Sequence, residues 1–289
     1  YMRFVNTSTE DMTVTMTKYG SPTGPIQYSL DGKEWNTFNN FGTPYEVEYK
    51  QYADGRTELY DPNLVYDDED VFDVIKVQVQ EANIDPIPKG ACVYFKGDYK
   101  GTGKSNYIKL TANKSHSVEG NIMSLTYGDD FEGKTTIENT YQYYRLFFGD
   151  TTLTDASGLL LPATTLAKGC YVYMFRECTA LTAAPELPAT TLAEECYDCM
   201  FALCSSLVTA PVLLATTLAY WCYNAMFAYC TKLNYIKCLA TSTSRKDNTE
   251  DWVLGITITT GTFVKKRGIN WPEGKDGIPT GWRVEEVDA

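Results

Sequence analysis

Three consecutive copies of a 26-residue unit fill the second half of this chain: LPATTLAKGCYVYMFRECTALTAAPE from Leu161, LPATTLAEECYDCMFALCSSLVTAPV from Leu187 and LLATTLAYWCYNAMFAYCTKLNYIKC from Leu213. A repeat of this length cannot bury its apolar face alone, so each unit has to stack on its neighbours, which predicts a solenoid. Within a unit Leu166, Cys170, Met174 and Cys178 recur every four residues with Phe175 beside them, the spacing of one helical face. Pro162, Pro185 and Pro188 punctuate the remainder, so each unit is expected to be a short extended piece followed by two or three helical turns. Burying about six apolar side chains per unit at ~1.5–3 kcal/mol each makes stacking the main source of stability.

The chain before the repeats reads as β structure. Strands are suggested by MRFVN, MTVTMTK, IQYSLDGKEWNTF with a turn at Asp31-Gly32, VFDVIKVQVQ and ACVYFKGDY, separated by segments rich in Gly, Pro, Asn and Asp. This favours a β sandwich over residues 1–125, with an acidic, Tyr-rich insertion at about 45–73. The solenoid is expected over 126–240, opening with a degenerate copy in which Leu146, Phe147 and Leu153 stand 28 residues before Met174, Phe175 and Leu181. That copy has Asp150 where later ones have a cysteine, as befits an end unit that meets another surface. A C-terminal cap over 241–289, carrying Trp271 and Trp282, would close the exposed end. The expected fold class is therefore α+β: an N-terminal β sandwich, a short leucine-rich-repeat-like solenoid and a cap.

A net charge of −12 argues against nucleic acid as a partner. No apolar run is long enough to span a bilayer, and any secretion signal or lipid-anchor cysteine is expected upstream of Tyr1. Six of the nine cysteines form two columns, Cys170, Cys196, Cys222 and Cys178, Cys204, Cys230. Stacked strands lie about 4.8 Å apart, near enough for neighbouring cysteines to bridge, but a column of three cannot pair completely, and buried free thiols used as core filler are the favoured reading.

The core MFxxCTxLT, at Met174-Phe175, Cys178 and Leu181, resembles the AFxxCTSLT of BspA-like leucine-rich-repeat surface proteins, whose unit is about three residues shorter. The longer LPATTLAxxCYxxMFxxCTxL form is similar to repeat proteins of gut Bacteroidales, some of them thought to belong to prophages. YSLDGxxW at Tyr28 to Trp35, VYFKG at Val93 to Gly97, GNIMSL at Gly120 to Leu125 and an ending like GTFxK…GIPxGW extend the likeness over most of the chain, the 45–73 insertion being its clearest departure. The resemblance implies a cell-surface or secreted adhesion or binding role and supplies no catalytic residues.

Chemistry is sparse. His116 is the only histidine and lies in a polar stretch, where an exposed loop position is expected; a Cys-His pair would require the fold to bring a repeat cysteine to it. Cys196-Tyr-Asp-Cys199 spells CxxC, yet position 199 is Tyr173 and Ala225 in the flanking copies, so Cys196 belongs to the core column and Cys199 lies off it. Asp67, Asp68 and Asp70, with Glu69 and Asp73, are a weak calcium candidate without EF-hand spacing, and a solvated acidic loop is favoured. Asp129, Asp130 and Glu132 would suit paired-carboxylate glycosidase chemistry without any supporting motif.

The ligand-binding candidates lie on the repeats. Tyr171, Tyr197 and Tyr223 form a ladder that can stack on sugar rings or pack against the neighbouring unit, the latter being favoured. The positions Lys168-Gly169, Glu194-Glu195 and Tyr220-Trp221 vary between copies and are better placed to set specificity. The chain is thus expected to be a non-enzymatic protein that recognises an extracellular glycan or protein through its repeat surface, without cofactor or metal. The alternative is a prophage-encoded virion or tail receptor-binding protein, and a carbohydrate-active enzyme comes third.

Overall fold

A computed structural model describes residues 1–38, 40–52, 57–59, 72–242 and 246–288. Its strands are β1 (Met2–Asn6), β2 (Met12–Tyr19), β3 (Ile26–Ser29), β4 (Asn36–Thr37), β5 (Tyr45–Tyr52), β6 (Thr57–Leu59), β7 (Phe72–Ile87), β8 (Cys92–Gly97), β9 (Tyr107–Ala112), β10 (His116–Asn121), β11 (Leu153–Asp155), β12 (Leu159–Leu160), β13 (Tyr235–Cys238), β14 (Thr262–Lys266) and β15 (Arg283–Val287). They form three sheets: β11-β10-β1-β8-β3-β4 with β12 also on β10, then β6-β5-β7-β2-β9, and a parallel β13-β14-β15. Strict alternation sets the faces of the first two. Met2 and Phe4 of β1 and Met12, Val14 and Met16 of β2 point into one shared core, while the residues between them look outward.

The α+β expectation with a leucine-rich-repeat-like solenoid is overturned: this is a mainly β fold. No helix forms within the repeats. Every second N–H instead donates to the carbonyl three residues before it, Cys170 to Ala167, Val172 to Gly169, Met174 to Tyr171 and Arg176 to Tyr173, at 3.1–3.3 Å. The intervening N–H groups donate to the next copy, Tyr171 to Cys196, Tyr173 to Asp198, Phe175 to Met200 and Glu177 to Ala202, at 2.9–3.1 Å. One residue in four is left-handed: Gly169 (φ 62°), Tyr173 (58°) and Glu177 (67°), then Glu195, Cys199 and Leu203, then Trp221, Ala225 and Tyr229. Each copy is therefore a run of linked turns. Because alternate backbone donors from Gly169 to Glu177 are satisfied only by the next copy, stacking is required by hydrogen bonding as well as by apolar burial.

The ladder of turns is longer than the sequence repeats. Tyr223, Ala225, Phe227 and Tyr229 donate to Asn248, Glu250, Trp252 and Leu254, with Asp251 and Gly255 left-handed, so a further copy lies inside the segment expected to begin the cap. Trp252 takes the place of the recurring methionine. Its indole stacks on Tyr223 and Trp271, with ring centroids 6.3 and 5.3 Å apart, and its Nε1–H donates to the Gly277 carbonyl at 2.7 Å, joining the ladder to the tail. The opening of the acidic insertion is also ordered structure, since Tyr45–Tyr52 pairs with β7 along its whole length. Asp67, Asp68 and Asp70, the calcium candidates, lie outside the described residues.

Candidate functional site

Residues that point away from the shared core on the five-stranded sheet make one wall of a cleft. Tyr19 of β2 is paired with Tyr107 of β9, and their rings stack at 4.4 Å and 9°. Lys109 follows two residues after Tyr107 and so lies on the same face, and Val47 and Tyr49 of β5 continue the wall. The ladder of turns supplies the other wall through Arg145, Phe148, Tyr173, Arg176 and Glu177, then Asp198, Cys199, Trp221 and Asn224. The cavity between them is about 850 Å³.

The cleft is rich in rings and in charge. The Arg145 guanidinium lies 4.8–5.3 Å from the ring centroids of Phe148, Tyr144 and Tyr173, and its Nη1 donates to the Tyr107 hydroxyl at 3.4 Å. Burial pushes the hydroxyls of Tyr19, Tyr107 and Tyr173 up, and that of Tyr49 up to about 12, so all four are neutral donors at physiological pH. Asp198 accepts from Asn224 Nδ2 at 2.9 Å, and burial raises its carboxyl to about 6. Burial likewise pushes the Lys109 ammonium down and the Cys199 thiol well up, which leaves Cys199 without nucleophilic character.

The tyrosine ladder is interior structure. Tyr171, Tyr197 and Tyr223 are at most 2% exposed and stack on one another at 5.8 and 6.1 Å, so their faces are filled by neighbouring tyrosines and are closed to any ligand. Tyr220 and Trp221 behave differently. Their rings stack at 5.0 Å, Tyr220 is 38% exposed, and Trp221 lines the cleft. Lys168 and Glu194 pair with each other across adjacent copies at 2.9 Å, and buried Glu195 accepts from the Tyr141 hydroxyl two copies away at 2.9 Å, so these variable positions hold the ladder together.

His116 is fully buried, contrary to the loop position expected of it. Its ring stacks on Phe4 at 4.9 Å, Nδ1 stands 3.0 Å from the Lys114 carbonyl oxygen, and Nε2 lies 3.3 Å from Asp150. Asp129 is held below the usual carboxylate range by Lys96, whose Nζ donates to both its oxygens at 2.8 Å; neither Asp129 nor Asp130 lines the cleft. All nine cysteines are free thiols and eight are buried; Cys196 sits in the main core and Cys199 in the smaller apolar cluster with Tyr144, Val172 and Tyr173. Among the described residues no helix is long and apolar enough to cross a membrane.

Comparison with models of known families, with characterised proteins and with solved structures gives no match to this chain. The cleft residues carried only faint sequence signals. Tyr19 follows directly on the alternating strand MTVTMTK, but the strand that carries Tyr107 and Lys109 was not among those the sequence suggested, and nothing local places these residues opposite Tyr173 and Asp198.

Proposed function

We propose that the chain is a non-enzymatic binding protein that takes a saccharide ligand in the cleft between the five-stranded sheet and the ladder of turns, as part of an adhesive role at the cell surface. The observation that carries this reading is the composition of the cleft. The part-exposed rings of Tyr19 and Trp221 share one cavity with the buried Tyr49, Tyr107 and Tyr173, the amide of Asn224 and several charged groups, in a volume that suits a ligand of one to a few sugar units. Aromatic faces pack against the apolar side of a sugar ring, and amides and charges meet its hydroxyls. The resemblance to BspA-like surface proteins agrees with an adhesive role.

The test is a glycan-array screen of the full chain, followed by calorimetry on the best ligand with wild type and Trp221→Ala. Loss of the Trp221 platform is expected to weaken binding about tenfold, equivalent to ~1.4 kcal/mol. A chain that retains no glycan under conditions where it is folded defeats the reading.

A further inference from the structure

Lys109 is the cleft-lining cation whose surroundings the protein itself leaves incomplete. Among the described residues its ammonium makes no ion pair, hydrogen bond or ring contact, whereas Lys104 pairs with Glu195 at 3.7 Å and Arg176 with Glu177 at 3.4 Å. The residue is half-buried, and desolvation already disfavours its charged form. A half-buried charge that gains no partner is a standing cost, which a chain of net charge −12 with acids in surplus would be expected to relieve internally.

The acids nearest in influence are all engaged elsewhere. Glu81, Asp150 and Glu177 act on Lys109 through space. Glu81 accepts from the Thr17 hydroxyl at 3.4 Å and from Tyr45 at 3.3 Å, Asp150 is saturated by donors in the core, and Glu177 faces Arg176. Three more acids line the cavity, all on later copies of the ladder and none acting on Lys109: Asp198 accepts from Asn224, Asp251 pairs with Lys275, and Glu250 stands beside Asp251. At the Lys109 end the remaining polar groups are the neutral hydroxyls of Tyr19, Tyr49 and Tyr107 with the Arg145 guanidinium behind Tyr107. An ammonium among neutral phenols, with the neighbouring carboxylates occupied, is a pocket for an acceptor of negative charge.

We infer that this end of the cleft is an anion subsite centred on Lys109, and that the saccharide bound there is acidic, its carboxylate or sulfate ester completing the ammonium. The inference rests on the reading of the cleft as a saccharide site and adds the class of sugar. A carboxylate and a sulfate ester share this chemistry, and the experiment separates them.

The full-length chain is labelled with an amine-selective reagent in the presence of glucuronic acid, glucose 6-sulfate or glucose, with the modification of Lys109 read by peptide mass analysis. In parallel, tryptophan fluorescence is followed in wild type and in Trp221→Phe, which isolates the response of the cleft indole. An acidic sugar at twice its Kd should lower Lys109 labelling about threefold, with glucose giving no protection, and the more protective of the two acids identifies the group. Lys109→Gln should lose about tenfold in affinity for that acid while its fluorescence response to neutral sugar persists. A Trp221-dependent fluorescence response with Lys109 labelling unchanged, or equal protection by glucose, overturns the anion subsite and leaves the saccharide reading standing. No fluorescence response and no protection with any of the three sugars overturns both.

Discussion

The carboxylate of Asp150 lies 3.3 Å from Nε2 of His116, and both side chains are fully buried. Asp150 stands where the three repeats place the second-column cysteine, and its oxygens show why. Oδ2 accepts the N–H of Ala112 at the end of β9 at 3.0 Å, while Oδ1 accepts the N–H groups of Thr152 and Leu153 at 3.1 Å and the Thr152 hydroxyl at 2.9 Å. One carboxylate thus fastens the first turn copy to the five-stranded sheet. The corresponding thiols of later copies, Cys178, Cys204 and Cys230, each donate one bond to a phenylalanine carbonyl of the preceding copy. Restoring the repeat consensus with Asp150→Cys is therefore expected to destabilise the chain by about 3–5 kcal/mol, because three N–H groups, that of Leu153 buried and those of Ala112 and Thr152 part-buried, lose their acceptor. Urea unfolding followed by fluorescence measures the loss; a variant as stable as wild type would show that the fastening contributes nothing.

The stacked tyrosines separate ring packing from hydroxyl bonding. Tyr171 and Tyr143 are neighbours in one stack at 5.8 Å, yet the Tyr143 hydroxyl is 2.8 Å from Thr126 Oγ1, whereas the Tyr171 hydroxyl is buried without a hydrogen-bond partner. Tyr171→Phe should leave stability unchanged or raise it by about 1 kcal/mol, and Tyr143→Phe should lower it by about 1 kcal/mol. Equal losses in thermal unfolding would contradict this assignment.

The left-handed positions make a backbone prediction. Leu203 sits at φ 65° in the column that also holds Glu177 and Tyr229. A β-branched side chain is strongly disfavoured there and glycine is not. Leu203→Val should cost about 1–2 kcal/mol more than Leu203→Gly, although valine keeps more apolar surface. The reverse order in chemical denaturation would mean that side-chain burial, not turn conformation, governs this position.

Thiol reactivity tests the core. Burial pushes the thiols of Cys222, Cys230 and Cys238 up to about 12, and Cys92 is the only one of the nine that is not buried. Titration with a disulfide reagent at pH 8 should find about one reactive thiol in the native chain and nine after denaturation without reductant. Six or fewer after denaturation would indicate disulfides and a different use of the columns.

The alternation of Met2, Phe4, Met12, Val14 and Met16 was legible because a strand's period of two is read directly from neighbouring residues. The fourfold spacing of Leu166, Cys170, Met174 and Cys178 was equally legible and misleading. A run of linked turns with one left-handed residue in four has a period of four, close enough to 3.6 that a short apolar stripe fits both. Gly169 was the one residue in the three copies suited to its left-handed position; Glu195 and Trp221 occupy the same position without advertising it. The final copy, at Asn248 to Leu254, was hidden because its bonds to Tyr223 and Phe227 are made by backbone, which tolerates any side chain. The cleft was illegible for a different reason: Tyr107 and Tyr173 are 66 positions apart, and only the docking of the ladder on the sheet brings them to one cavity.

Asp198 gives the cleft a pH dependence whose sign follows from its environment. Desolvation raises its carboxyl from 3.8 to about 6, so between those values the folded chain retains a proton that the unfolded chain has released. Below pH 4 both states are protonated and the group is neutral to folding. As pH rises from 4 to 6 the proton bound only by the folded state is progressively less available, and stability falls; above 6 both states are ionised and the full cost of a buried carboxylate persists, about 3 kcal/mol at 1.36 kcal/mol per unit. Asp198→Asn keeps an oxygen to accept from Asn224 and removes the charge, so it should stabilise the chain by up to about 3 kcal/mol at pH 7 and by little at pH 4. Urea midpoints of both proteins across pH 4–8 decide the matter, and a constant difference across that range would place the Asp198 carboxyl at its ordinary value in the fold.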